Sequence, residues 1–194
     1  MGLGLKRTSG TGSVPVYQGT GKDISLSQGG FGLDITGLVA GSILPAGTPF
    51  SFNEATRLAK PLVTAKITTI AGAADVVYNV AKGSQFKVGD FLALVSGGKA
   101  YAITAINTSN ASFDALTVGT TLGAAAVDDL AFASSATGAT AAAFAINGLL
   151  YSDALVASGE SVSVVLRGTV YARRVPYSAG IAAALPHIIY SQSF

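Results

Sequence analysis

Short runs of alternating apolar and polar residues, closed by glycine, asparagine or proline, recur at close spacing from about Ile35 onward. That texture limits the chain more than any other feature. Period-2 alternation between turn residues builds half-buried strands and leaves little room for long helices. "LVTAKITTI" and "ADVVYNVAKG" are such runs, rich in β-branched residues. "FKVGDFLALVSGGKAYAITAINTSNASFDALTV" reads as strand, Gly-Gly turn, strand, Asn-rich turn and strand, with Ser96-Gly97-Gly98 closing a hairpin. The fold expected is mainly β, a small barrel or sandwich.

The stretch "AGSILPAGTPFSFNEATRLAKP" shows how turn residues would shape that fold. Ser42-Ile43-Leu44 and Thr48-Pro49-Phe50-Ser51-Phe52 nearly alternate, while Pro45 and Pro49 would each remove a donor from a helix. Gly47 lies between them and can take the positive φ of a tight turn. The segment therefore predicts strand, bend, strand, and a polar turn over Asn53-Glu54-Ala55-Thr56. "AFASSATGATAAAFA" (131–145) is low in complexity, and periodicity does not decide between helix and loop there. "SVSVVLRGTVYARRV" alternates well, "SAGIAAALP" predicts a short helix stopped at Pro186, and "HIIYSQSF" could add a last strand. Residues 1–30 are rich in Gly, Ser, Thr and Gln and read as an extended arm, although "SVPVYQGTGKDISL" could become a strand on meeting a sheet edge.

Charged residues make up 11% of the chain and hydrophobic ones 49%, so part of the surface is expected to be covered by a partner. The net charge of +2 is spread singly apart from Lys6-Arg7 and Arg173-Arg174, which is no footprint for nucleic acid. The longest apolar stretch, Ala139–Tyr151, is interrupted by Asn147 and Gly148, so no membrane-spanning helix is expected. "MGLGLKRTSGTG" lacks the apolar centre of a signal peptide, which suggests synthesis in the cytoplasm.

Chemistry finds few footholds. "GTGKD" (19–23) has the Gly-Lys pair of a phosphate loop, but Val16 stands where its first glycine belongs and Asp23 replaces the hydroxyl. His187 is the sole histidine, and no serine sits in a G-x-S-x-G elbow: Ser96 has Leu94 in the first glycine's place. With no cysteine, metal binding would fall to carboxylates, and the neighbours Asp128 and Asp129 would point to opposite faces of a strand. No catalytic, cofactor or metal residues are therefore nominated, and the chain is not expected to be an enzyme. Any two of the 10 acids could still meet in space as a glycosidase pair, but a sugar site usually adds stacking aromatics, and the 7 Tyr and 9 Phe are spread at strand-like positions.

The segments "GLVAGSILPAGTPFSFNEATRLAKPLVTAKI", "VAKGSQFKVGDFLALV" and, above all, "AINGLLYSDALVASGESVSVVLRGTVYARRVPY" followed by "AGIAAALPHIIYSQSF" resemble phage capsid decoration or head fibre proteins. The similarity is to those of phages and prophages of gut bacteria (Bacteroides type) and, more distantly, to lambda-type head decoration proteins. The resemblance covers about residues 35–194, and its most specific part is Gly148-Leu149-Leu150, a hairpin, "VVLRG" (164–168) and an alanine-rich helix. It implies a β-rich domain over 31–194 that forms a homotrimer on the outer surface of a phage head. It also implies an arm, residues 1–30, ordering against the major capsid protein through Lys6, Arg7, Val14, Val16 and Tyr17. Relative to the lambda-type pattern, residues 65–130 are extra and are expected as an inserted β subdomain. The trimer contact is expected on the C-terminal block, at Leu166, Arg167, Val170, Tyr171, Arg173, Arg174, Leu185, Ile188 and Ile189. The location so implied is the virion surface. A second reading, a fibre tip or adhesin binding a surface glycan, would use Tyr101 and Asn107 of "GKAYAITAINTSNASFD".

Overall fold

The computed structural model describes residues 15–19, 22–28, 30–94, 98–139 and 141–192. Six short strands come first: β1 (Tyr17–Gln18), β2 (Ser25–Leu26), β3 (Phe31–Leu33), β4 (Ile43–Leu44), β5 (Pro49–Asn53) and β6 (Leu58–Pro61). Six more follow: β7 (Thr64–Lys66), β8 (Val77–Ala81), β9 (Phe91–Leu94), β10 (Ala100–Asn107), β11 (Phe113–Val118) and β12 (Leu130–Ser134). The last part holds β13 (Gly148–Leu150), β14 (Ala154–Leu155), β15 (Ser161–Val162), β16 (Val164–Tyr171), a 3-10 turn, helix α1 (Ala179–Ala184) and β17 (Ile188–Ser191).

The first and last groups share one sheet, in the order β16-β13-β5-β6-β3-β15. Strands β15 and β16 are a single run broken only at Ser163, so the two ends of that order are the same stretch of chain and the sheet curls shut into a small barrel. Alternation then sorts side chains to its two surfaces. Phe31, Phe50, Ala59, Leu150 and Val164 pack together inside. Their neighbours Leu149 and Val165 point outward, where α1 covers them with Ile181 and Leu185. Leu62, at the crossing to the middle strands, and Leu130, at the start of β12, join that outer cluster.

The middle group forms its own curled sheet, β7-β12-β9-β10-β11-β8, antiparallel throughout. Its ends meet where Ile67 bridges Val80 and the Thr68 amide donates to the Asn79 carbonyl at 2.9 Å. Tyr78, Leu92, Leu94, Ile103 and Leu116 fill it. The Tyr78 hydroxyl accepts from the Leu122 amide at 2.8 Å and lies 2.9 Å and 3.0 Å from the Asp75 and Gly123 carbonyls, so this buried polar tip is fully used.

The Gly97 turn lies outside the described residues, but its flanking strands pair as expected, Ala100 with Ala93 and Tyr101 with Leu92. The undecided alanine-rich segment begins as strand β12, because Leu130–Ser134 finds partners on both sides, and continues as a loop. The short helix starts at Ser178, whose Oγ accepts the Ile181 amide at 3.1 Å. A six-residue helix with only this one side-chain cap depends on it. Ser178→Ala should cost about 1 kcal/mol in urea denaturation, and an unchanged midpoint would show that packing of Ile181 alone holds the helix.

The arm expected over residues 1–30 ends earlier than that. Strand β1 pairs with β16 at Tyr17↔Val170, and β2 pairs with it at Leu26↔Val165. From Pro15 the described chain therefore belongs to the first barrel, because the side of β16 away from β13 offered it unpaired backbone.

Candidate interaction surface

The carboxylates are placed where turns need acceptors. Asp34 Oδ1 accepts the Thr36 amide at 3.0 Å, Asp75 Oδ2 the Gly72 amide at 2.6 Å, and Asp90 Oδ2 the Lys87 amide at 2.8 Å. Asp129 Oδ2 accepts from Ala126 at 2.8 Å and Asp153 Oδ1 from Ala46 at 2.8 Å. The Thr36 hydrogen bonds hold the Asp34 carboxyl below its usual range. Asp114 is buried; its Oδ2 accepts from Gly83 and Ser84 at 2.9 Å and 3.2 Å, and its Oδ1 lies 2.9 Å from Lys82 Nζ. Six of the 10 acids thus brace backbone, as short acceptor side chains do in Asx turns. Asp128 sits on an exposed turn at φ 70° beside Asp129. Among the described residues no three His, Cys, Asp or Glu side chains converge as a metal site.

The residues expected at a trimer contact divide into two groups. Val170, Leu185 and Ile188 are buried in the chain's own core, against α1 and the barrel wall, so they cannot also meet a neighbour. This corrects their assignment: alternation marks a buried face without saying what covers it. Leu166 and Tyr171 are half-buried, and Arg167, Arg173 and Arg174 are exposed. Arg174 Nη1 donates to the Pro15 carbonyl at 2.5 Å, with its guanidinium 4.4 Å over the Tyr171 ring. Ile189 is 64% exposed opposite Thr169 on the β16–β17 ladder. Arg167, Ile189, Lys22 and His187 line one shallow depression on that face, of about 480 Å³.

Of the expected arm contacts, Lys6, Arg7 and Val14 lie outside the described residues. Val16 and Tyr17 are half-buried and tied into the first barrel. Val16 packs on the outer core and its carbonyl accepts the Tyr171 amide at 3.0 Å. Tyr17 donates its hydroxyl to the Leu150 carbonyl at 2.5 Å, and burial, with Tyr190 and Tyr151 nearby, raises its phenol well above the usual value. β-pairing accounts for both positions. On the inserted barrel, Tyr101 is half-buried against the core and Asn107 Oδ1 accepts the Ser109 amide at 2.9 Å, so both residues have structural duties.

The sequence reading missed the ribbon β4–β14. Ile43 and Leu155 face each other across it, 64% and 46% exposed, with Val39 beside them at 45%. The signal was present in Ser42-Ile43-Leu44: two consecutive apolar residues on a strand must point to opposite sides, so if Leu44 is buried, Ile43 is out. A second apolar group, Ile70, Val76, Val77 and Val127, is exposed on the inserted barrel. Compared with known proteins, the chain matches no family model, no curated protein and no solved structure.

Proposed function

We propose that the chain is a non-enzymatic structural protein of a phage or prophage head, which assembles as a homotrimer on the outer surface of the shell and contacts the major capsid protein without a cofactor. One observation carries the interaction part of this reading: the fold uses its carboxylates to brace turns and leaves large apolar side chains, Ile43, Leu155, Ile189 and Ile70 among them, in water. Such side chains on a weakly charged surface favour burial against a partner. The head assignment itself comes from the sequence resemblance in the C-terminal block. A closed ring of three would use each sticky face once and leave none to propagate.

Light scattering on the size-exclusion peak should give about three times the 19.3 kDa chain mass. Ile189→Asp should return the mass to one chain while leaving the thermal unfolding of the monomer unchanged, since that side chain touches little of its own fold. A monomeric wild type that also fails to co-sediment with purified heads of the phage encoding it would sink the proposal.

A further inference from the structure

Both barrels contribute to a cavity of about 590 Å³, a volume within the range of small-ligand pockets, roughly 300–1,000 Å³. The inserted barrel supplies Lys66 from β7 and Asp128 from the turn before β12, and the first barrel supplies Tyr177 and Gln192. Asp128 differs from the aspartates that brace turns. Among the described residues nothing donates a hydrogen bond to its carboxylate or pairs with it. Its position is nonetheless held, because the Asp128 amide donates to the Ile67 carbonyl at 2.9 Å. Lys66 Nζ donates to the Arg173 carbonyl at 2.9 Å, which fixes the ammonium and uses one of its three N–H groups. The Gln192 carboxamide is exposed and makes no bond with the described residues, so it can both donate and accept. Tyr177 is 40% exposed, with its ring 5.1 Å from that of Tyr190.

These groups restrict the occupant. A bare anion such as phosphate would meet the Asp128 carboxylate, and a bare cation would meet Lys66. A wholly apolar molecule would cover both charges without bonding either, which is costly. A polyhydroxylated ring is neutral, and each of its hydroxyls donates and accepts. It can therefore serve an acceptor-only carboxylate, a donor-only ammonium and an amide at once. Its C–H face also packs on the open part of an aromatic ring.

We propose that this cavity binds a saccharide, with one hexopyranose unit hydrogen-bonded to Asp128, Lys66 and Gln192 and lying against Tyr177. The site is separate from the Tyr101 and Asn107 hairpin, where both side chains have structural duties. The inference also stands apart from the phage-head reading, since a single chain carries all four residues and needs neither a trimer nor a capsid to assemble them.

The test uses the full chain and saturation-transfer difference NMR with the methyl glycosides of glucose, galactose, mannose and N-acetylglucosamine. At least one should give a saturable signal with a millimolar Kd, as a single sugar held by a few hydrogen bonds does. Asp128→Gly removes the carboxylate at a φ of 70° that glycine adopts freely, so the fold is spared while binding should weaken about tenfold or more. Tyr177→Ala should abolish the signal and Tyr177→Phe should keep most of it, because the ring and not the hydroxyl is used. Glu54→Gln, outside the cavity, should change nothing. Absence of a saturable signal from all four glycosides would overturn the proposal, as would binding that survives both Asp128→Gly and Tyr177→Ala at full strength. So would competition by leucine at an affinity equal to the glycoside's own and dependent on Asp128, which would assign the cavity to a zwitterion. Thermal unfolding of each variant is recorded alongside, so that a folding defect cannot pass for lost binding.

Discussion

Asp114→Ala should destabilise the inserted barrel by about 2–4 kcal/mol, the largest loss expected from any single carboxylate in the chain. Asp114 is 3% exposed, and its side chain closes the turn after β8 by accepting two amides, those of Gly83 and Ser84. Removing it leaves both donors facing space that water reaches poorly, and hydrogen bonds to a charged acceptor are the stronger kind. The ion pair contributes less, because the Lys82 side chain is 40% exposed and stays hydrated when its partner goes. Lys82→Ala should therefore cost well under half as much as Asp114→Ala in urea denaturation. Equal losses would mean that the charge pair, and not the amide bracing, holds this turn. Asp114→Asn, which keeps one acceptor oxygen, should fall between the two.

That turn also shows what sequence could and could not convey. "ADVVYNVAKG" announces β8 by its alternation, and Tyr78 and Val80 are buried as that period requires. Asp114 lies 31 residues from Gly83, on another strand, and nothing in the local pattern joins them. The same division recurs elsewhere. The strands, the Pro-Gly bend and the Ser178-started helix are local matters of φ, donors and period, and were legible. Closure of each sheet depends on pairings between distant segments, including the parallel ladders β3–β6 and β16–β17, and was not. Val170, Leu185 and Ile188 illustrate the cost of that gap for the candidate surface. Their apolar character points to a contact with a neighbouring chain as readily as to a core, and their cover is the C-terminal helix region and the barrel wall of the same chain. Ile43 and Leu155 went unnoticed for the opposite reason. Alternation already sets Ile43 opposite a buried Leu44, but that nothing else in the chain packs over it, or over Leu155, follows only from the assembled sheet.

Gly47→Ala is the other substitution from which a large effect is expected, about 2–5 kcal/mol from two sources that can be separated. The first is conformational: Gly47 has φ 82°, in the left-handed region that a Cβ disfavours. The second is spatial. A Cβ there would run into the Val175 side chain and stand 3.0 Å from Val16 Cγ1, both of them packed in the outer core of the first barrel. The bend cannot swing away to relieve this, because the Gly47 amide donates to the Leu150 carbonyl at 2.8 Å and Thr48 is tied back to Pro45. Gly159 supplies the comparison: it has the same φ of 82° with open space where a Cβ would go. Gly159→Ala should therefore show the conformational part alone, about 1–2 kcal/mol. In urea denaturation the excess of Gly47→Ala over Gly159→Ala measures the crowding, and Val175→Ala added to Gly47→Ala should cost less than the two changes made separately. If the two glycine variants lose the same stability, Val175 has yielded and the bend is fixed by its backbone conformation alone.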